Sequence, residues 1–181
     1  MLTRLFAAVR GLIYASAFVW LWWWVVASAR PLDRRIALSI PSSLRPVGLV
    51  LVALGGLLAL TCVLSFALVG RGTPAPFDAP RDVVAAGPYR WVRNPMYLGA
   101  LLVLFGVGVL LRSPAALAVA VGFFALAHLF VLLYEEPTLE RRFGASYRRY
   151  RSEVRRWLPR PPRTADRGGA SEPATRESQF R

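Results

Sequence analysis

The stretch GPYRWVRNPMYLG, residues 87–99, decides how this chain is read. It sets two arginines, an asparagine, three aromatic residues and two prolines directly before an apolar run. Working outward, residues 96–111 form a short apolar block and residues 115–134 a second. Ser113-Pro114 separates them, a gap that allows only a tight helical hairpin. Two more apolar blocks lie upstream, at 12–29 and 47–69. A helix needs about 20 apolar residues to cross the hydrocarbon core, so the block at 96–111 must borrow from its flanks. The pattern predicts an all-α, polytopic membrane helical bundle with about four transmembrane helices.

Composition agrees. The 181 residues are 55% hydrophobic with a mean hydropathy of +0.42. The net charge is +13, and every basic residue is arginine. These arginines flank the apolar blocks, which favours a lipid bilayer as partner over nucleic acid. The single Cys62 permits no internal disulfide, and its apolar surroundings suit packing. With one Cys and one His, a protein-ligated metal is not expected.

Arginines also suggest an orientation. Arg71, Arg81, Arg90 and Arg93 precede the third block, and Arg141, Arg142, Arg148 and Arg149 follow the fourth. With four spans both groups share a side, which the positive-inside rule makes cytoplasmic. Arg30, Arg34, Arg35, Arg45 and Arg112 fall on the other side, leaving room for an extra half-span at 36–40. Residues 27–29, Ala-Ser-Ala, resemble a signal-peptidase site. Trp20, Trp22, Trp23 and Trp24 instead suit the interfacial belt of a retained helix, and retention is expected.

Beyond Tyr134 the pattern changes. Leu139, Phe143, Tyr147, Tyr150, Val154 and Trp157 recur at near-helical spacing among arginines. This predicts a C-terminal amphipathic helix on the membrane surface. The membrane domain then covers residues 1–160, and the Pro/Gly/Ser-rich segment 161–181 reads as a disordered basic tail.

Arg90 and Arg93 have an ordinary reading as phosphate-snorkelling anchors, and Tyr89, Trp91 and Tyr97 as an aromatic belt. Glu135-Glu136 does not fit that reading, because acidic residues at membrane depth are costly and often functional. The hairpin brings residues 94–97 and Glu135 to one end. Such a set suits a zwitterionic ligand with an aromatic ring. His128 lies seven residues before Glu135, two α-helical turns back. It is either a hydrogen-bonded packing residue, or a proton acceptor or substrate contact at the pocket floor.

GPYRWVRNPMYLG, followed two spans later by EEPTLERRFGASYRRYRSEVRRWLP, resembles the isoprenylcysteine carboxyl methyltransferase and phospholipid methyltransferase superfamily. That pattern is Gly-x-Tyr, then Arg-His-Pro-x-Tyr-x-Gly, then a Glu-Glu pair and Phe-Gly-x-x-Tyr-x-x-Tyr. The likeness spans roughly residues 83–159, inside a motif-bearing part at 81–160. It implies S-adenosylmethionine as methyl donor. By the same resemblance the donor's contacts fall on Arg81, Asp82, Val83, Val84, Tyr89, Asn94, Pro95, Met96, Tyr97 and Glu135. Glu135 would meet the methionyl ammonium, and Glu136 would support the loop through an arginine. Arg93, Asn94 and His128 are the candidate catalytic residues.

Two departures bear on the acceptor. Asn94 stands where the superfamily has His, so it can hydrogen-bond there but not titrate. Val131 stands where the isoprenylcysteine enzymes carry an Arg, so a prenylcysteine carboxylate would lack that cation. The resemblance therefore implies an integral membrane methyltransferase of a bacterial inner membrane, with its site facing the cytoplasm. Its acceptor would be hydrophobic or lipid-like, bearing a carboxyl, thiol or amine. Two rival readings are an NADPH-dependent membrane reductase of the sterol reductase type and a non-catalytic membrane protein that keeps the fold. The chain is short and has few extra polar residues for a dinucleotide.

Overall fold

The computed structural model describes residues 2–65, 86–159 and 161, and among them it is all-helical with no strand. Four longer helices come first: α1 (Leu2–Ala29), α2 (Arg45–Ser65), α3 (Pro95–Leu110) and α4 (Pro114–Phe130). Two short ones follow, α5 (Glu136–Phe143) and α6 (Ala145–Glu153). Residues 66–85, with the expected end of the second apolar block, and the tail from 162 lie outside the described residues.

The tightest contact joins α2 and α3 through glycine. Gly48 meets Gly106, and Gly55 meets Gly99, so the two helices are antiparallel. A Cβ on Gly55 would stand 2.5 Å from the Gly99 carbonyl oxygen and 2.8 Å from the Val103 nitrogen. Backbone occupies that space, so no side chain fits. Small residues at such a seam let helices approach closely where burial of apolar area between them gives little drive.

Helix α4 packs on α3 and α1 with an alanine face. Ala116, Ala120, Phe123 and Ala127 repeat at helical spacing and are buried with Leu104 and Val26. Trp22 of α1 meets Phe123 edge-on, with ring centroids 4.9 Å apart. Outward-facing residues stay apolar: Leu49, Leu57 and Leu60 of α2 and Val121, Leu126 and Leu129 of α4 are all exposed. Continuous apolar surface of that kind suits lipid.

Among the described residues, two helical stretches are long and apolar enough to cross a membrane, Ser42–Ser65 and Pro114–Phe143. The expected count of about four spans is therefore supported for two. Helix α3 does not borrow from its flanks. Its 16 residues reach about 24 Å at 1.5 Å per residue, short of a core of about 30 Å.

The loop at residues 30–41 is not a half-span. A 3-10 segment covers Arg30–Arg35, and residues 36–41 are irregular. They pack on the α3–α4 turn, where Arg112 Nε donates to the Ile40 carbonyl at 2.8 Å. Arg112 itself sits at φ 53°, a left-handed position in the turn. The start of α4 is capped twice. Asp33 Oδ1 accepts from the Ala115 amide at 2.9 Å, and Ser113 Oγ from the Ala116 amide at 3.0 Å. These bonds satisfy amides that have no partner within the helix.

The expected C-terminal amphipathic helix is interrupted. Gly144, at φ 51°, ends α5 and begins α6. That backbone geometry is open to glycine and strained for other residues, so the helix breaks where the sequence places a glycine.

Candidate active site

The site grows from the junction of α4 and α5. Pro137 lacks an amide hydrogen to offer Leu133, and its ring crowds that carbonyl. The turn before it widens into a π turn over Val131–Glu135, with the Glu136 amide bonding to the Val131 carbonyl. Widened turns of this kind recur at functional sites. The junction presents Glu135 and Glu136 side by side at the end of α4, where they take different partners.

Glu136 is held from two directions. Its carboxylate accepts from Arg156 twice, at 2.7 and 2.8 Å, in a bidentate pair. Arg93 lies 2.9 Å away on the same carboxylate. The Glu136 side chain is only 5% exposed. A carboxylate this deep persists because two guanidiniums face it. The bond to Glu136 in turn pushes the Arg156 pKa up.

The C-terminal residues form a strap across the mouth. The Arg93 amide donates to the Arg155 carbonyl at 2.9 Å, and Asn94 Nδ2 to the Arg156 carbonyl at 3.3 Å. The Tyr150 hydroxyl donates to the Tyr89 carbonyl at 2.8 Å. Burial raises the pKa of both Tyr89 and Tyr150, so both phenols stay protonated. The Tyr89 hydroxyl bonds with the buried thiol of Cys62.

Among the described residues Glu135 meets no arginine. The Tyr97 hydroxyl donates to its Oε2 at 3.1 Å, and its other oxygen has no bond to the described residues. Nearby stands an aromatic cluster. Trp157 lies 5.0 Å from Phe124, 6.0 Å from His128 and 6.4 Å from Tyr97, between ring centroids. Trp157 Nε1 donates to His128 Nδ1 at 2.9 Å.

Of the residues singled out from the sequence, the fold thus gathers Tyr89, Arg93, Asn94, Pro95, Met96, Tyr97, His128 and Glu135 at one end of the bundle. Pro95 opens α3, where its missing amide hydrogen costs nothing, and it is buried. Arg93 and Asn94 are engaged by Glu136 and the strap. Arg81, Asp82, Val83 and Val84 lie outside the described residues. Sequence reasoning missed Arg156 and Trp157. The helical spacing assigns Trp157 to a surface helix, and it does not identify the arginine expected to pair with Glu136. Among the described residues, no group of three His, Cys, Asp or Glu side chains is placed to hold a metal ion.

The phospholipid methyltransferase profile matches residues 44–146, more than half of the chain. The chain belongs to the phospholipid methyltransferase family. The matched region runs from the start of α2 through α5 and contains Glu135, Glu136, Arg93 and Tyr97. An uncharacterized protein of Haemophilus influenzae is 40% identical over 63 residues, which is 35% of this chain and the whole of that protein. No solved structure matches. Family membership points to a methyltransferase, and together with two helices long and apolar enough to cross a membrane it points to a membrane protein.

Proposed function

We propose that this chain is an S-adenosylmethionine-dependent methyltransferase that acts on a hydrophobic or lipid-like acceptor. The observation that carries the reading is the inequality of the two glutamates. Glu136 is saturated by Arg93 and Arg156, while Glu135 keeps an oxygen for a ligand cation. The methionyl ammonium has the charge and the donors for that oxygen. Tyr97 fixes the Glu135 carboxylate by taking its other oxygen. Pro95 and Met96 at the start of α3 lie beside this pair in the chain, and residues 81–84 are proposed to complete the wall.

When bound, the donor supplies a methyl group already activated on a sulfonium. What remains for the protein is alignment and dryness. Well-oriented reactants gain up to about 7–11 kcal/mol over a bimolecular encounter in water. The ion pairs of Glu136 hold the strap over the mouth. Trp157, Phe124 and Tyr97 then shield the ground next to Glu135 from water. Arg93 and Asn94 act as positioning residues in this scheme, because their side chains fasten Glu136 and the Arg156 backbone. His128, in the last turn of α4, is proposed to meet the acceptor. The mouth is proposed to open to the cytoplasm of a bacterial inner membrane, with Arg141, Arg148 and Arg151 of α5 and α6 exposed beside it.

The test is to incubate membranes carrying the full chain with methyl-labelled S-adenosylmethionine and to extract the lipids. Label should appear in a lipid-soluble species, and the Glu135→Gln variant should lose it. Equal labelling without the chain would contradict the reading, and binding of NADPH in place of the methyl donor would favour a reductase.

A further inference from the structure

We propose that Trp157 fixes the tautomer of His128, so that His128 Nε2–H serves as a hydrogen-bond donor to an oxygen of the acceptor and not as a base. The identity of the ligand as a methyl acceptor rests on the function proposed above; the tautomer is a property of the chain alone. An indole Nε1–H only donates. It stands 2.9 Å from His128 Nδ1, which must therefore present its lone pair. The neutral ring then carries its proton on Nε2.

Neither nitrogen is left to take a proton from the acceptor. Nε2 already holds one, and a proton on Nδ1 would face the indole N–H. Of the two roles the sequence leaves open to a functional His128, contact survives and proton abstraction does not. Nε2 has no bond to the described residues and is not sealed in the interior. Around it stand the rings of Phe124 and Trp157, with Tyr97 beyond and leading to Glu135. Aromatic walls with a single donor suit an apolar body whose head brings a hydrogen-bond-accepting oxygen. A carboxylate and a neutral carbonyl share that chemistry. A head whose polar atoms are all ammonium donors finds no partner at His128.

The chain contains one histidine, so [15N]histidine labelling of the full protein in lipid nanodiscs reports His128 alone. The expected spectrum shows an unprotonated Nδ1 and a protonated Nε2, and Trp157→Phe should turn this into a mixture of tautomers. Decanoate, methyl decanoate and decylammonium are then added in turn. Decanoate should shift Nε2–H and decylammonium should not; a response to methyl decanoate as well extends the site to neutral carbonyls and also supports the proposal. His128→Leu should weaken decanoate binding by roughly tenfold to a hundredfold, the worth of one hydrogen bond to a charged acceptor, and His128→Gln should restore most of it through its amide N–H. A protonated Nδ1 in the wild type, or a decylammonium shift equal to that of decanoate, overturns the proposal. If Trp157→Phe does not fold, the wild-type spectra decide. Calorimetry with S-adenosylhomocysteine on the same nanodiscs separates the two claims: absence of binding there defeats the methyltransferase reading, while the nitrogen spectra still judge His128.

Discussion

The two ends of the helical bundle treat polar groups in opposite ways. At the end formed by residues 30–41 and the α3–α4 turn, Asp33 and Ser113 take the first amides of α4, and Arg112 reaches the Ile40 carbonyl. Those side chains are engaged by other parts of the chain. At the opposite end Glu136 follows the same rule, with two arginines on one buried carboxylate. Glu135 and His128 do not. One keeps a carboxylate oxygen, the other an N–H, without a bond to the described residues. Polar groups near the hydrocarbon core cost stability when left open. The difference teaches where the chain is built to hold itself together and where it is built to hold something else.

Substitutions can break or sharpen that contrast. The largest effect should come from Glu136→Ala, which strands Arg93 and Arg156. Removing one partner of a buried ion pair costs about 3–5 kcal/mol. Thermal denaturation of the detergent-solubilised chain should show it, and unchanged stability would mean the strap is held by something else. Next comes Gly55→Ala at the α2–α3 seam, where the new Cβ would meet the Gly99 carbonyl oxygen, the Val103 nitrogen and the Leu102 Cβ, none of which can easily give way. Overpacking of this kind costs about 1–3 kcal/mol, read from the same denaturation curve. Asp33→Ala removes one cap from α4 and should cost about 1 kcal/mol of stability while leaving S-adenosylhomocysteine affinity alone. Tyr97→Phe is its mirror image. Stability should hardly change, while S-adenosylhomocysteine affinity falls by roughly fivefold, about 1 kcal/mol, as Glu135 loses the phenol that orients it.

How much of this was legible in the sequence follows from how local each cause is. The α3–α4 hairpin was, because Ser113-Pro114 both caps and starts a helix within two residues. So was the meeting of Tyr97 with Glu135 at one end, which the hairpin enforces. The π turn ahead of Pro137 was not read from the sequence, and it alters the two-turn spacing assumed between His128 and Glu135. The glycine seam is written in two seven-residue spacings, 48 to 55 and 99 to 106, but nothing in either helix names the other as partner. The strap was hidden for the same reason. Asn94 meets the Arg156 backbone across 62 residues, and Trp157 meets His128 across 29, so a pattern that looked like a surface helix turned back onto the site.

The central claim is that Glu135 is kept open for a ligand cation. The direct measurement is a calorimetric titration of S-adenosylhomocysteine into the wild-type chain and into Glu135→Gln, both in lipid nanodiscs, with melting curves recorded alongside. The account predicts that the wild type binds and that Glu135→Gln loses at least about thirtyfold in affinity, the 2 kcal/mol lower bound for truncating a buried charge pair, with its melting temperature unchanged. Equal binding by the two proteins would contradict it.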